Sequence, residues 1–436
     1  MQLRYIVAGT LAALGLAPMA QAFDLGNVDI HGFVSQSYLN STDQNYLTPD
    51  SQDGTMELNE IGINFGTDVA DNIRVGIQLF ARDQGKFGNN QVTLDWAYGD
   101  WTMNDYFGLR IGRMISTGGL YSEIKDYDFL RSYALLPQSI YNADFREISS
   151  SYNGAEAYGV FDFDGAGILS YTVGAGASSV PRDGDLATFL QNTPVNGNYV
   201  DTINDAKVDW VGSLNIVYET PVDGLKFLMN FNHVHGMVLD MSSTEYALIP
   251  ANPMPPGPTN PAFNYPVNID VLFETERLDT LILSSQYLYE SWTFDLEYTR
   301  SWQRANVTTT IQGPLSFTGT SMSITEEGET TSSDGGYLGT TYRMDDSWVF
   351  GGYFSAKFAD TSDRDGQEIE DNGGQAITGY SYDFAGVVRY DINEYWLVKA
   401  EAHYVNGAYG LSTYNDPSEE LEKSWSYFIL RSSFNF

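Results

Sequence analysis

Hydrophobic and polar positions alternate with period two over most of this chain, and the alternation breaks at intervals that are by turns short and long. In Ile73 to Asp83 the apolar set Ile73, Val75, Ile77, Leu79 and Ala81 leaves Arg74, Gly76, Gln78, Phe80 and Arg82 on the other face. In Tyr395 to Tyr404, Trp396, Val398, Ala400 and Ala402 oppose Lys399, Glu401 and His403; in Trp292 to Trp302, Phe294, Leu296 and Tyr298 oppose Asp295, Glu297 and Thr299. Among the positions named on either face, the charges fall on one parity, which describes strands with one greasy and one wet face. Short breaks fall at 70–72, 102–105, 164–166, 221–224, 290–291, 344–347 and 391–394. Long ones fall at 41–55, 84–90, 115–150, 179–207, 237–270, 306–335, 361–375 and 406–423. Strict alternation of short and long predicts an all-β fold, a transmembrane up-and-down antiparallel β-barrel of about sixteen strands with turns on one rim and loops on the other.

Both ends agree with a barrel. In Ser424 to Phe436, Phe428, Leu430, Phe434 and Phe436 share one face while Arg431, Ser433 and Asn435 share the other. This resembles the closing strand of bacterial outer-membrane β-barrels; the resemblance implies that Phe436 and Phe434 belong to the signal read by the barrel-insertion machinery. Residues 1–22 carry one basic residue, Arg4, an apolar stretch from Tyr5 to Leu16, Pro18, and Ala20-Gln21-Ala22 before Phe23. They read as a secretory signal peptide, leaving 23–436 as the barrel. The apolar stretch is too short for a spanning helix. With no cysteine, disulfides and thiolate metal sites are excluded.

Composition narrows the class further. The 30 Tyr, 24 Phe and 8 Trp suit interfacial girdles, and mean hydropathy of −0.26 with no second long apolar run excludes a helical membrane protein. The formal charge is −35. Such a surface repels nucleic acid and anions, favours cations, and fits the divalent ions that bridge lipopolysaccharide beside the membrane lipid.

The longest candidate segment comes after the strand 106–114 and runs from Ile115 to Ser150. It contains Gly118-Gly119-Leu120-Tyr121-Ser122-Glu123-Ile124-Lys125-Asp126-Tyr127-Asp128 and Leu135-Leu136-Pro137-Gln138, with Gly112-Arg113 before it. In chain order and in its Leu-Pro it resembles the third loop of general Gram-negative porins. The resemblance implies a trimeric sixteen-stranded channel whose third extracellular loop folds inward and narrows it. The family's Leu-Pro-Glu-Phe-Gly-Gly-Asp is here Leu136-Pro137-Gln138-Ser139-Ile140-Tyr141-Asn142, so its acidic residue is missing. The family's early-strand arginines fall near Glu60 and Thr93, and Arg146 looks like a retained one. The second loop, through which family trimers latch, is short here at 84–90.

The expected constriction sets Glu123, Asp126 and Asp128 on the loop against Arg82, Arg110 and Arg146, a pair of opposed charged faces that orders water between them. Arg74, Glu60, Lys399 and Glu401 are expected on the pore wall. No cofactor is expected. The function expected is passive diffusion of small hydrophilic solutes and cations. A substrate-specific channel with Tyr121 and Tyr127 along its path is an alternative, as is a surface barrel acting as adhesin or enzyme. His233 and His235, two apart on one face, could hold a transition metal. The segment Thr361 to Asn372 is faintly like a calcium loop but lacks its first and last acidic ligands. Asn252 to Pro261 is too rich in proline to enter a ladder.

Overall fold

The computed structural model describes residues 28–144, 146–178, 180–182, 184–192, 201–249, 263–312, 322–328, 330–411 and 421–436. The signal segment 1–22 and the proline run 252–261 lie outside them. The first half of the sheet is β1 (Asp29–Ser41), β2 (Leu58–Ala70), β3 (Ile73–Gln84), β4 (Thr93–Asn104), β5 (Phe107–Ile115), β6 (Ser151–Asp162), β7 (Ile168–Ala177) and β8 (Thr202–Glu219). It continues through β9 (Leu225–Ile249), β10 (Phe263–Tyr289), β11 (Trp292–Gln312), β12 (Met322–Glu327), β13 (Thr331–Arg343) and β14 (Trp348–Phe358). The last three strands are β15 (Tyr380–Asn393), β16 (Trp396–Gly407) and β17 (Ser424–Asn435).

All pairings are antiparallel between neighbours, and β17 pairs with β1, so the sheet closes. β12 and β13 both pair with β11, at Asn306–Ile311 and Trp292–Gln303 respectively. They are two pieces of one strand, and the described barrel has sixteen. Closure removes every sheet edge, the condition for β-structure in hydrocarbon, where no water satisfies a free backbone group.

The predicted parity is the observed one in β3, β11, β16 and β17. Leu296, Leu338, Phe354, Phe384 and Tyr404 form one cross-strand row facing outward, and all are exposed. By contrast Glu297, Lys399, Glu401 and Arg431 are buried inside. Near the short turns the outer face carries paired aromatics: Trp292 tilted on Tyr342 (4.7 Å), Trp348 tilted on Tyr390 (4.5 Å) and Trp396 stacked on Phe434 (5.1 Å). This is a girdle at one interface of an apolar belt.

The seam is closed by the last residue. Gly32 and Phe436 exchange both backbone hydrogen bonds, at 2.9 and 3.0 Å, and a Cβ on Gly32 would lie 2.3 Å from the Phe436 ring. Gly32→Val is therefore expected to push the ring off the seam at a cost of about 1–3 kcal/mol. The check is the fraction of heat-resistant folded barrel on a cold denaturing gel, which should fall against wild type.

The segment 237–270, expected as a loop, is mostly strand. β9 and β10 run 25 and 27 residues and stay paired from Leu225–Tyr287 to Ile249–Phe263, more than twice the length a barrel strand needs to cross a bilayer. The ladder skips Asp209, Gly236 and Glu276 side by side on β8, β9 and β10, with Gly236 at φ 64°. The break reverses the parity: below it Asn230 and Asn232 face in, and above it Leu239 and Met241 do, buried against the short helix Asp185–Asn192. A reading by strict period two loses the strand at such a slip.

Candidate functional site

Between β5 and β6 the chain turns tightly three times, with Ile124, Tyr127 and Leu130 each donating to the carbonyl three residues back. These turns bring Tyr121, Asp126, Tyr127 and Asp128 against the inward parity of strands from around the ring. Buried contacts to the barrel wall hold the loop in place. Asp128 pairs with Arg131 (2.7 Å), Arg431 (2.7 Å) and Lys399 (3.3 Å) and accepts the Ser433 hydroxyl (2.6 Å), all buried. Asp126 accepts from Arg146 at 2.6 Å and from Gln78 at 3.3 Å, while Arg146 also reaches Asp95 at 3.1 Å.

On the far wall, the carboxylate of Glu297 accepts the Leu120 N–H (2.9 Å) and the hydroxyls of Tyr141 (2.5 Å), Ser284 (2.6 Å) and Tyr337 (2.8 Å). Next to it Asp295 takes the Tyr121 hydroxyl at 2.5 Å. Glu401 on β16 accepts the backbone N–H groups of Ala134 and Leu135, at 2.6 and 3.0 Å. Tyr133, fully buried, meets Tyr353 edge-on at 5.3 Å. The carboxylates of the wall thus satisfy loop donors that have no water to turn to.

Electrostatics on the loop are set by this packing. Burial alone would raise the Asp126 carboxyl, but Arg146 and Lys125 outweigh it and hold it below its ordinary value. Lys125 is pushed down to about 8, by burial first and by the nearby Arg146 second. Its ammonium donates to the Ser150 hydroxyl at 2.7 Å.

Of the expected constriction, only Asp126 and Arg146 meet, and they touch directly instead of facing each other across water. Asp128 lies with the cations of β16 and β17. Arg82 pairs with Asp185 at 2.6 Å and donates to the Ala143 carbonyl at 2.8 Å. Arg110 pairs with Asp100 (2.9 Å) and Glu156 (3.7 Å). Glu123 is exposed and acts on Tyr98 and Glu156 through space. Among the wall residues, Glu60 pairs with Arg431, Lys399 reaches Asp128 and Glu401 holds the loop backbone; Arg74, half exposed beside a short turn, lies near Asp29 and Asp68. Phe434 and Phe436 are exposed on the outer face.

Other candidates resolve differently. His233 Nδ1 is 2.5 Å from Asp279, and among the described residues no three His, Cys, Asp or Glu side chains gather to hold a metal. The calcium-like stretch forms a short helix, Gln367–Asp371, and Asp363 spends a carboxylate oxygen on the Glu368 N–H at 3.1 Å. Between the loop and β8–β10 remains a cavity of about 720 Å³.

Solved structures share this architecture. The chain is similar to OmpF of Salmonella typhi, solved in complex with daunomycin, at 12% identity over 95% of this chain and 99% of that one, with a TM-score of 0.52. It is also similar to OmpT, an outer membrane protein of Vibrio cholerae, at 10% identity over 94% and 97% with a TM-score of 0.49. A third is the outer membrane channel DcaP of Acinetobacter baumannii, at 10% identity over 96% and 100% with a TM-score of 0.48. This chain has the fold of a porin-like outer-membrane β-barrel. No family model and no curated protein matches it.

Several residues that shape the interior of this porin-like barrel escaped the sequence reading. Asp295 and Glu297 were visible as inward charges, but nothing marked them as acceptors for loop tyrosines. Asp95, Arg131, Asp185 and Arg389 carried no local signal. Arg389 caps the Phe129 and Arg131 carbonyls, both at 3.0 Å, from some 260 residues away in sequence.

Proposed function

We propose that the chain is a passive diffusion channel of the bacterial outer membrane, narrowed by the segment 116–150, that passes small hydrophilic solutes and cations without covalent chemistry or cofactor. The observation that carries this reading is a closed ring in which Glu297, Lys399, Glu401 and Arg431 are buried inside while Leu296, Leu338, Phe354, Phe384 and Tyr404 form an exposed apolar row outside. The proposed passage runs beside the loop, which is anchored on β3, β11, β16 and β17, and a cavity of about 720 Å³ there supports this. In this proposal residues 1–22 direct export, and the insertion machinery reads Phe434 and Phe436. Outer-membrane lipid and lipopolysaccharide surround the belt, and the resemblance to general porins adds two further copies in a homotrimer.

Cation preference belongs to the mouths and not to the loop. Inside, Asp126, Asp128 and Glu60 are neutralised by direct ion pairs with Arg146, Arg131 and Arg431. The surplus of 57 acidic over 22 basic residues therefore acts where water and salt reach it. In a planar bilayer under a potassium chloride gradient the reversal potential should have the cationic sign, and the preference should shrink as salt rises. An anionic sign would refute the charge argument and leave the channel standing.

A further inference from the structure

The cavity beside the loop has a wall of the wrong chemistry for a plain water-filled pore. Val211, Val234 and Leu278 are direct cross-strand neighbours on β8, β9 and β10, and all three line it. Above them, beyond the parity break, Met237, Leu239 and Phe273 line it too, continuous with the buried cluster under the helix Asp185–Asn192. Strand parity alone calls for polar side chains at inward positions of a channel. A run of apolar side chains on three adjacent strands is instead the lining expected of a site that takes an apolar body.

The lining also holds charged side chains, with Glu60 and Asp126 among the cations. Arg82, Arg146 and Lys125 all line the cavity. Arg82 and Arg146 are committed to Asp185, Asp95 and Asp126. Lys125 differs: its ammonium is bonded to a neutral hydroxyl, Ser150 Oγ at 2.7 Å, and no ion pair joins it to a carboxylate of the described residues. It is a cation with a donor to spare, in a cavity that also has a greasy wall.

We propose that this cavity is a binding station for amphipathic organic monoanions, with an aromatic or branched alkyl body against the Val211–Val234–Leu278 wall and a single carboxylate at Lys125. The proposal rests on the channel reading above and names the class of solute that dwells within it. The volume of about 720 Å³ suits a body of this kind, well above what acetate or a metal cation needs. The acidic mouths act over roughly a Debye length, about 8 Å at physiological salt, so they set the passage of small ions without cancelling a local site deeper in.

The test uses the full chain in a planar bilayer carrying a potassium chloride current, with 3-phenylpropanoate, its amide and propanoate added as blockers. 3-Phenylpropanoate should interrupt the current at concentrations about tenfold or more below either of the other two. Val234→Asn with Leu278→Asn should raise its blocking concentration by a similar factor while leaving propanoate unchanged. Lys125→Gln should abolish the difference between acid and amide. Heat-resistant migration on a cold denaturing gel, equal to wild type, shows that each variant has folded. Equal block by the three solutes, or wild-type discrimination in either variant, overturns the station alone. Absence of any current from the wild type overturns the channel reading and the station with it.

Discussion

Replacing Asp128 with alanine is expected to loosen the loop and destabilise the barrel by about 3–5 kcal/mol, the range for removing one partner from a buried ion cluster. Three cations converge on this carboxylate. Arg131, Arg431 and Lys399 are each within 3.3 Å, and the Lys399 side chain has no exposed surface. Without Asp128 they would repel one another in a site that excludes water. Burial alone would raise this carboxyl, yet Arg131, Arg431 and Lys399 together carry it well below the usual range. The contribution is therefore complete above the ordinary carboxylate pKa of about 4 and disappears as pH falls through the lower folded value. The effect of Asp128→Ala on the denaturant midpoint should accordingly be the same at pH 5 and at pH 8. In single-channel records the variant should show noisier, larger openings, because this cluster ties the loop to β16 and β17. A midpoint and a noise level equal to wild type would show that the cluster does not hold the loop.

Glu297→Ala should have the second-largest effect, from the opposite wall. Its carboxylate is the common acceptor of a backbone N–H from the loop and three hydroxyls, two of them on tyrosines. Each donor left unsatisfied costs about 1–3 kcal/mol, and because the four share one site the sum is less than additive. Glu297→Gln keeps one oxygen and should lose less. Hydrogen exchange at the Leu120 amide reads the same contact directly. It should accelerate strongly in the alanine variant and modestly in the glutamine variant, whereas equal protection in all three proteins would contradict the assignment.

Fold and site differ in how much of each the sequence disclosed, and the reason is physical. A strand with lipid on one side and charged side chains on the other has its pattern dictated residue by residue, so Phe294, Leu296 and Tyr298 against Asp295 and Glu297 could be read directly. The closing strand was legible for the same reason. The extension of β9 and β10 was not, because the slip at Asp209, Gly236 and Glu276 turns the apolar set over and the proline run separates the two halves of the pattern. Inside the barrel the parity of each charge was legible but its partner was not. Asp128 and Lys399 lie 271 residues apart, and Arg82 and Asp185 lie 103 apart, so no local pattern links them. The opposed faces expected across the loop were consequently too open: the positive and negative groups were in view, and their collapse into direct pairs was not.

Those direct pairs change what the interior can do. In the proposed channel, neutralised charge at the loop would leave little transverse field and place selectivity for small ions at the acidic mouths. The centre keeps an apolar wall on β8–β10 and one ammonium, Lys125, with a hydroxyl for a partner. If the proposed station holds, size exclusion and apolar contact, more than a charge gradient, decide which solutes linger.

The most direct test of the central claim is single-channel recording of the purified, detergent-refolded chain added to one side of a planar bilayer. Discrete, long-lived and ohmic current steps are expected in potassium chloride, and they should grow when residues 119–143 are excised. Stable insertion without any current, or steps unaffected by that excision, would contradict a channel narrowed by its inward loop.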